Sequence, residues 1–219
     1  MVVCTVSVSN KVKDWLRGKG KGWVTAEYAM LPRANANRIL REGQFGRWPS
    51  GRSQEIQRLI GRCLRGSVWP SRIGELTITI DCDVLQADGG TRTASVTGGF
   101  VALALALDKL IKKGTVKRRP FKNMIAATSV GILGEDVLLD LNYAEDSNAD
   151  VDLNIAGDGL GGIVEIQGTA EGEMFEADQL NAMTALGLKG IAELVTIQKE
   201  VLKEVGVDID SMLQSPDSL

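Results

Sequence analysis

Thirteen consecutive residues set the terms for the rest of the chain: Asp81-Cys82-Asp83-Val84-Leu85-Gln86-Ala87-Asp88-Gly89-Gly90-Thr91-Arg92-Thr93. Before them, Thr77-Ile78-Thr79-Ile80 alternates β-branched residues and reads as a strand. After them, Ala94 to Lys112 reads as a helix, with the apolar run Phe100 to Leu107 and a stop at Lys113-Gly114. A Gly-Gly turn therefore lies between a strand and a helix N-terminus. The first N–H groups of a helix have no partner within it, and the dipole is positive there, so such a turn can bind an anion. Gly89 and Gly90 let backbone approach a ligand. Thr91 and Thr93 add hydroxyls, and Arg92 adds a planar fork that can hold two phosphate oxygens. The plainer alternative is a glycine turn with threonines capping a core helix and Arg92 merely exposed. A Walker A loop is excluded, because no GxxxxGK[ST] occurs.

The chain has no histidine. Ser-His-Asp and Cys-His catalysis and histidine-bound metals are therefore out of reach. Any chemistry falls to carboxylates, Lys, Arg, hydroxyls, or a substrate that brings its own nucleophile. Cys4, Cys63 and Cys82 are odd in number and widely spaced, which reads as reduced thiols in a cytoplasm rather than a disulfide framework. Met1-Val2-Val3-Cys4-Thr5-Val6 reads as a strand, not a signal peptide, and no run of about 18 apolar residues suggests a membrane span.

The net charge of −3 hides an asymmetry: residues 1–73 carry 14 Lys and Arg against 4 acids, a net of +10, which leaves −13 for the rest. Ten of those cations are Arg, the better phosphate partner, which favours a polyanion over a merely solvated face. Residues 31–50, with Pro32, Pro49 and Arg33, Arg38, Arg41 and Arg47, read as a long loop of the kind that often carries function.

Periodicity outlines the remainder. Met1–Ser9 and Gly22–Met30 read as strands. Ser53–Val68 reads as an amphipathic helix with Ser53 as its cap and Arg52 just ahead of it. Residues 124–133 with 137–143, and 151–156 with 161–168, read as two hairpins. Ala177 to about Met212 reads as helical, with Leu180, Met183, Leu186, Ile191, Leu194, Val195 and Ile197 facing inward, and residues 213–219 as a disordered tail. Gly157-Asp158-Gly159-Leu160-Gly161-Gly162 fits GxGxxG, but the strand-like Ile163–Gln167 follows where a dinucleotide fold needs a helix. The whole is expected to be one α+β domain, 1–219, of two related halves with mixed sheets packed on helices.

Glu145, Asp146, Asp150 and Asp152 gather four carboxylates at a strand–loop–strand junction. Period two puts Asp150 and Asp152 on one strand face, and Asp146 can fold back beside Asp152. Either this is a solvated acidic turn with Asx caps, or it is an oxygen-only site for Mg²⁺. Beside an Arg-rich half and an anion cradle, the second layout suits phosphoryl transfer.

Five blocks resemble ribonuclease PH, a family of phosphorolytic 3′→5′ exoribonucleases that trim tRNA precursors. They are Gly22–Tyr28 with Met30–Arg33, Gly51–Ile60, Asp81–Ala94, Glu145–Ser147 with Val151-Asp152, and Glu165–Gly172. The resemblance implies that Arg52, Gly90, Thr91 and Arg92 hold inorganic phosphate as co-substrate. It implies that Asp146 and Asp152 are the metal-binding and catalytic carboxylates, and that Arg33, Arg38 and Arg41 guide the RNA 3′ end. A hexameric ring is implied as well. The same fold also serves as a non-catalytic RNA-binding subunit of exosome-like rings, so that alternative stands beside an inactive truncated form and a hydrolytic nuclease. Three stretches depart from the family pattern: the Arg-rich lead-in and first strand hairpin are missing ahead of Val3-Cys4-Thr5, which would leave an exposed sheet edge, and segments 44–50 and 67–72 differ.

Overall fold

The computed structural model of the chain describes residues 1–43 and 48–213. Strands β1 (Val2–Ser9), β2 (Trp23–Met30) and β3 (Thr77–Val84) form one sheet in the order β1-β3-β2. β1 runs antiparallel to β3 and β2 parallel to it, with Trp23 opposite Thr77 and Met30 opposite Val84. A parallel pair needs a crossover, which α1 (Gly51–Gly66) supplies. In β3, Ile78, Ile80, Cys82 and Val84 are buried while Thr77, Thr79 and Asp81 stay part-exposed, so alternation has chosen one face for the core.

After the single turn α2 (Pro70–Ile73) and β3 comes α3 (Thr91–Lys112). A second, wholly antiparallel sheet follows in the order β5-β4-β6-β7, from β4 (Ala126–Leu133), β5 (Asp136–Leu139), β6 (Val151–Gly157) and β7 (Ile163–Ala170). The short α4 (Tyr143–Asp146) sits between β5 and β6, and α5 (Ala177–Glu204) with α6 (Ile209–Met212) closes the chain. This is the α+β architecture expected, with sheets packed on helices.

α3 lies between the two sheets, against β1 and β3 on one side and β4 on the other. Phe100, Leu103, Ala104 and Leu107 are fully buried there. The Phe100 ring tilts against Phe121 with centroids 5.0 Å apart. α3 and α5 are long and apolar enough to cross a bilayer by length and composition, but both pack in or on the core here.

Several details differ from expectation for identifiable reasons. α1 starts at Gly51, because Ser50 takes an extended backbone and its Oγ accepts from Ser53 N–H at 3.2 Å. Ser53 is therefore not the cap; it is buried and donates to Glu42 at 3.0 Å. Arg52 consequently lies inside the first helical turn. α3 starts at Thr91 rather than Ala94, entered through Gly90 in the left-handed conformation. Tyr143 opens α4 instead of ending a strand. Ile197 is 53% exposed, because the inward face of α5 runs through Met183, Gly187, Ile191 and Gln198. Buried Gln198 donates to the carbonyls of Thr97 and Ile125, joining α5 to α3 and the β4 approach. Leu213 bridges to Phe121, and the remainder of the expected tail, like residues 44–47 of the unusual loop, lies outside the described residues. Cys63 and Cys82 are buried and Cys4 half-buried, all three as free thiols. Burial pushes the Cys63 thiol up to about 12, which removes it as a nucleophile.

Phe100 is fully enclosed on the helix that lies between the two sheets. Phe100→Ala is expected to lower stability by about 3–5 kcal/mol, read as a lower urea midpoint at unchanged slope.

Candidate active site

The N-termini of α1 and α3 open into one pocket of about 960 Å³. Arg52 comes from the first turn of α1; Gly90, Thr91 and Arg92 come from the start of α3; Tyr28 and Met30 come from the end of β2. Gly90 (φ 70°, ψ 21°) turns the chain into the helix without a side-chain cap. The N–H groups of Thr91, Arg92 and Thr93 precede the first intrahelical bond, which runs from Ala94 to the Gly90 carbonyl. The threonine hydroxyls are spent on structure. Thr91 Oγ1 shares a 2.9 Å hydrogen bond with the Tyr28 hydroxyl, and Thr93 Oγ1 donates to the Gly90 carbonyl at 2.8 Å. An anion here meets backbone N–H and guanidinium groups, with the one hydrogen that the Tyr28–Thr91 pair leaves over as the remaining hydroxyl donor between them.

Arg92 is oriented from two sides. Its Nη1 donates to Gln167 Oε1 on β7 at 2.7 Å and lies 3.5 Å from Glu55 Oε1 on α1. Arg62 of α1 pairs with Glu165 of β7 nearby. Burial raises the Tyr28 phenol above its ordinary range, while the Arg52 and Arg92 charges pull it back down. Tyr28, Arg52 and Arg92 all line the same pocket.

The four carboxylates divide into two held by backbone N–H groups of other residues and two that are not. Glu145 accepts from Asn142 N–H at 2.9 Å as half of a capping box. Asp150 accepts from Gly134 N–H at 2.8 Å and closes the β4–β5 turn. β6 begins only at Val151, so Asp150 does not share the strand face of Asp152. Asp146 lines the main pocket, and it also lines a smaller one with Asp152 and Glu171. Asn154, two residues along β6 from Asp152, reaches the main pocket and donates weakly to Asp152 at 3.4 Å. Asp152 is raised above the usual carboxylate range by burial first and by the Asp146 charge next, with Arg92 opposing. The acids and the arginines thus meet at one place.

Asp88 and Gly89, whose partners lie far along the sequence, hold that meeting together. Asp88 Oδ1 accepts from Gly89 N–H at 2.8 Å and from Tyr143 N–H, the first of α4, at 2.7 Å. These bonds hold the Asp88 carboxyl below its usual range. Gly89 lies so close to the second half that a Cβ there would fall 2.0 Å from the Leu141 carbonyl oxygen. The cradle and the Asp146 segment are pinned backbone to backbone.

The arginines expected to guide RNA sit on the loop that walls the pocket but do not line it. Asn35, Ala36, Asn37, Ile39, Leu40 and Glu42 are the lining residues there. Arg33 turns onto its own loop and donates to the carbonyls of Asn35 and Ala36. Arg38 and Arg41 are exposed between lining residues. Sequence reasoning missed Tyr28, Gln167 and Asp88. Of these three, only Asp88 carried a local signal, an Asp before a glycine turn.

Among the described residues no three or more His, Cys, Asp or Glu side chains form a metal cluster. Two carboxylates fit Mg²⁺ on different terms, because that ion retains several waters and takes further oxygens from phosphate.

Two expectations follow from this geometry. The raised Asp152 keeps its proton to higher pH in the folded chain than in the unfolded one. Stability therefore falls as pH climbs from the ordinary carboxylate value to the raised one, and the loss persists above it. Asp152→Asn removes that loss, so it should melt higher than the unaltered protein at pH 7 and alongside it at pH 3; a lower melting point at pH 7 would refute the charge conflict. Asp88→Ala and Gly89→Ala should each slow turnover at least tenfold, with Asp88→Asn, which retains an acceptor oxygen, recovering most of it in a steady-state assay.

A model described as "3′ exoribonuclease family, domain 1" matches residues 1–107, and one described as "3′ exoribonuclease family, domain 2" matches residues 123–190. Ribonuclease PH of Bacillus subtilis (strain 168) is 56% identical over 202 residues, covering 92% of this chain and 82% of that protein. The crystal structure of rice (Oryza sativa) Rrp46 superposes with a TM-score of 0.68 at 14% identity, covering 92% of this chain and 83% of that one. The Archaeoglobus fulgidus exosome with RNA bound to the active site superposes at 0.70 and 18% identity, covering 89% and 78%. These two structural likenesses speak for the fold alone, whereas the family models and the sequence identity go further: the chain belongs to the ribonuclease PH family of 3′ exoribonucleases.

Proposed function

We infer that the chain is a phosphate-dependent 3′→5′ exoribonuclease that trims tRNA precursors. The observation that carries this, beside the 56% identity to a ribonuclease PH, is the convergence of Arg52, Arg92 and Asp146 on one pocket, with Asp152 adjoining. Inorganic phosphate is anionic at neutral pH and is itself the nucleophile, so a chain without histidine can run the reaction. The backbone N–H groups of Thr91 to Thr93 and the guanidiniums of Arg52 and Arg92 hold it. A phosphate oxygen attacks the phosphorus of the last 3′,5′ linkage. The bond from that phosphorus to the preceding 3′ oxygen breaks, and the oxygen takes a proton to become the new 3′ hydroxyl. The products are a nucleoside diphosphate and an RNA one nucleotide shorter.

Asp146 and Asp152 would hold Mg²⁺, which when bound supplies charge neutralisation at the leaving oxygen. Gln167 and Glu55 keep Arg92 in place, so its fork is preorganised where charge builds up. Arg33, Arg38 and Arg41 belong to the loop along which the RNA 3′ end would enter. The working form is a hexameric ring in the cytoplasm.

Incubation with an RNA bearing a short 3′ extension and Mg²⁺, with and without phosphate, tests the reading. Nucleoside diphosphates should appear only with phosphate. Monophosphates without phosphate would identify a hydrolytic nuclease, and RNA retained but never shortened a non-catalytic ring subunit. Arg92→Ala should raise the phosphate concentration needed by roughly 10- to 100-fold while sparing RNA affinity, as expected for a lost charged hydrogen bond. Equal loss of both would count against the cradle. Asp152→Asn should abolish turnover and leave RNA bound.

A further inference from the structure

The active pocket uses only one end of the first sheet. Met30 opposite Val84 marks that end, and Trp23 opposite Thr77 marks the other. Eight residues of strand put the two ends about 25 Å apart, and the 22 residues of α3 span about 33 Å in the same direction. The far end is strongly basic. Lys11, Lys13, Lys19 and Lys21 stand exposed on the loop from β1 to β2, and Lys117 and Arg118 stand exposed on the linker after α3.

The loop and the linker are fixed to one another. Thr77 Oγ1 donates to the Lys11 carbonyl at 2.6 Å, Gly20 N–H to Glu75 at 2.9 Å, and Gly22 N–H to the Pro70 carbonyl at 2.9 Å. Arg72 then donates to the Arg118 carbonyl at 3.1 Å, and Lys117 N–H to the Arg72 carbonyl at 3.2 Å. Of the loop's charges, Asp14 already pairs with Arg17; the four lysines pair with no acid among the described residues. Trp15 is 54% exposed in their midst. It is held edge-on against Trp23 at 5.0 Å, whose ring is covered in turn by the Arg65 guanidinium at 4.3 Å. A solvated loop needs neither the tethers nor a stacked, half-exposed tryptophan. Predominantly positive charge on a fixed backbone with an aromatic face matches the chemistry of nucleic-acid backbone contact.

We propose that this far pole is a second RNA contact, which grips the phosphate backbone of the folded body of the RNA whose 3′ end lies in the pocket. The proposal rests on the exoribonuclease reading for what occupies the pocket. Its consequence is selectivity by shape: an RNA with a paired stem behind its 3′ extension presents a phosphate backbone to both ends. A short single strand reaches only the pocket.

The test compares a hairpin RNA carrying a short 3′ extension with the extension alone as a five-nucleotide oligomer. The protein is altered at Lys11→Glu, Lys13→Glu, Lys19→Glu and Lys21→Glu together, and separately at Trp15→Ala. KM for the hairpin should rise at least tenfold in the charge variant and several-fold in Trp15→Ala, with the oligomer unaffected in both. The salt slope of binding to a hairpin with a blocked 3′ end should flatten by about 0.7–0.9 for each phosphate contact removed. An unchanged hairpin KM, or an equal loss on both RNAs, overturns the proposal. The blocked hairpin separates the two readings: if it loses affinity in the charge variant while the unaltered protein makes no nucleoside diphosphate, the far-pole contact survives and the phosphorolytic reading falls.

Discussion

One close approach, Gly89 against the Leu141–Asn142 backbone, decides whether the rest of the molecule amounts to a site. The phosphate cradle belongs to the first half of the chain, and Asp146 and Asp152 to the second. Neither half carries both charges in the right place. The contact leaves no room for a side chain, and the Asp88 carboxylate bonds across it to the first N–H of α4. α4 has only four residues and would not persist on its own, since helix nucleation is unfavourable. It persists because Asn142, Glu145 and Asp88 together satisfy its N-terminal N–H groups. Asp146, its last residue, is thereby aimed by the same bonds that hold the two halves together.

The arrangement stores a conflict. Asp146 and Asp152 repel, and burial of Asp152 adds to the penalty. Arg92 offsets part of this, but it is itself shared with Gln167 and Glu55. The pocket is left short of positive charge on its acidic side and rich in it on its cradle side. A divalent cation and an oxyanion relieve opposite sides of that imbalance, so each favours the arrival of the other. The buried helix between the sheets supplies the stiffness that keeps the conflict from relaxing, with Phe100 and its neighbours fully enclosed.

Much of this was legible in the chain itself, and the exceptions share a cause. Alternation in Thr77–Ile80 and the glycine turn after it located β3 and the start of the cradle, because both signals are local. GxGxxG fails as a dinucleotide fingerprint for an equally local reason: Asp158 accepts from the N–H groups of Leu160 and Gly162 and makes a hairpin turn there. The acidic cluster was visible as composition, but its division into two carboxylates held by backbone N–H groups of other residues and two that are not was hidden. That division depends on backbone N–H groups such as Gly134, 16 residues away from Asp150. Asp88 and Gln167 were hidden further still, with partners 55 and 75 residues distant. The threonine hydroxyls looked available because their partners, Tyr28 and the Gly90 carbonyl, become neighbours only once the strands and helix are in place.

The covalent crossover between the halves leaves α3 at Lys112, at the end of that helix remote from the cradle. The polypeptide therefore joins the halves where no chemistry happens and leaves them joined only by weak bonds where it does. Geometrically this is a pair of jaws with the pivot at the wrong end. A rotation of about 3° at the pivot displaces the tip of a ~33 Å arm by roughly 1.7 Å, and displacements near 1 Å can slow a reaction about a hundredfold. Any partner that clamps the jaws from outside, far from the reacting atoms, gains leverage over the rate.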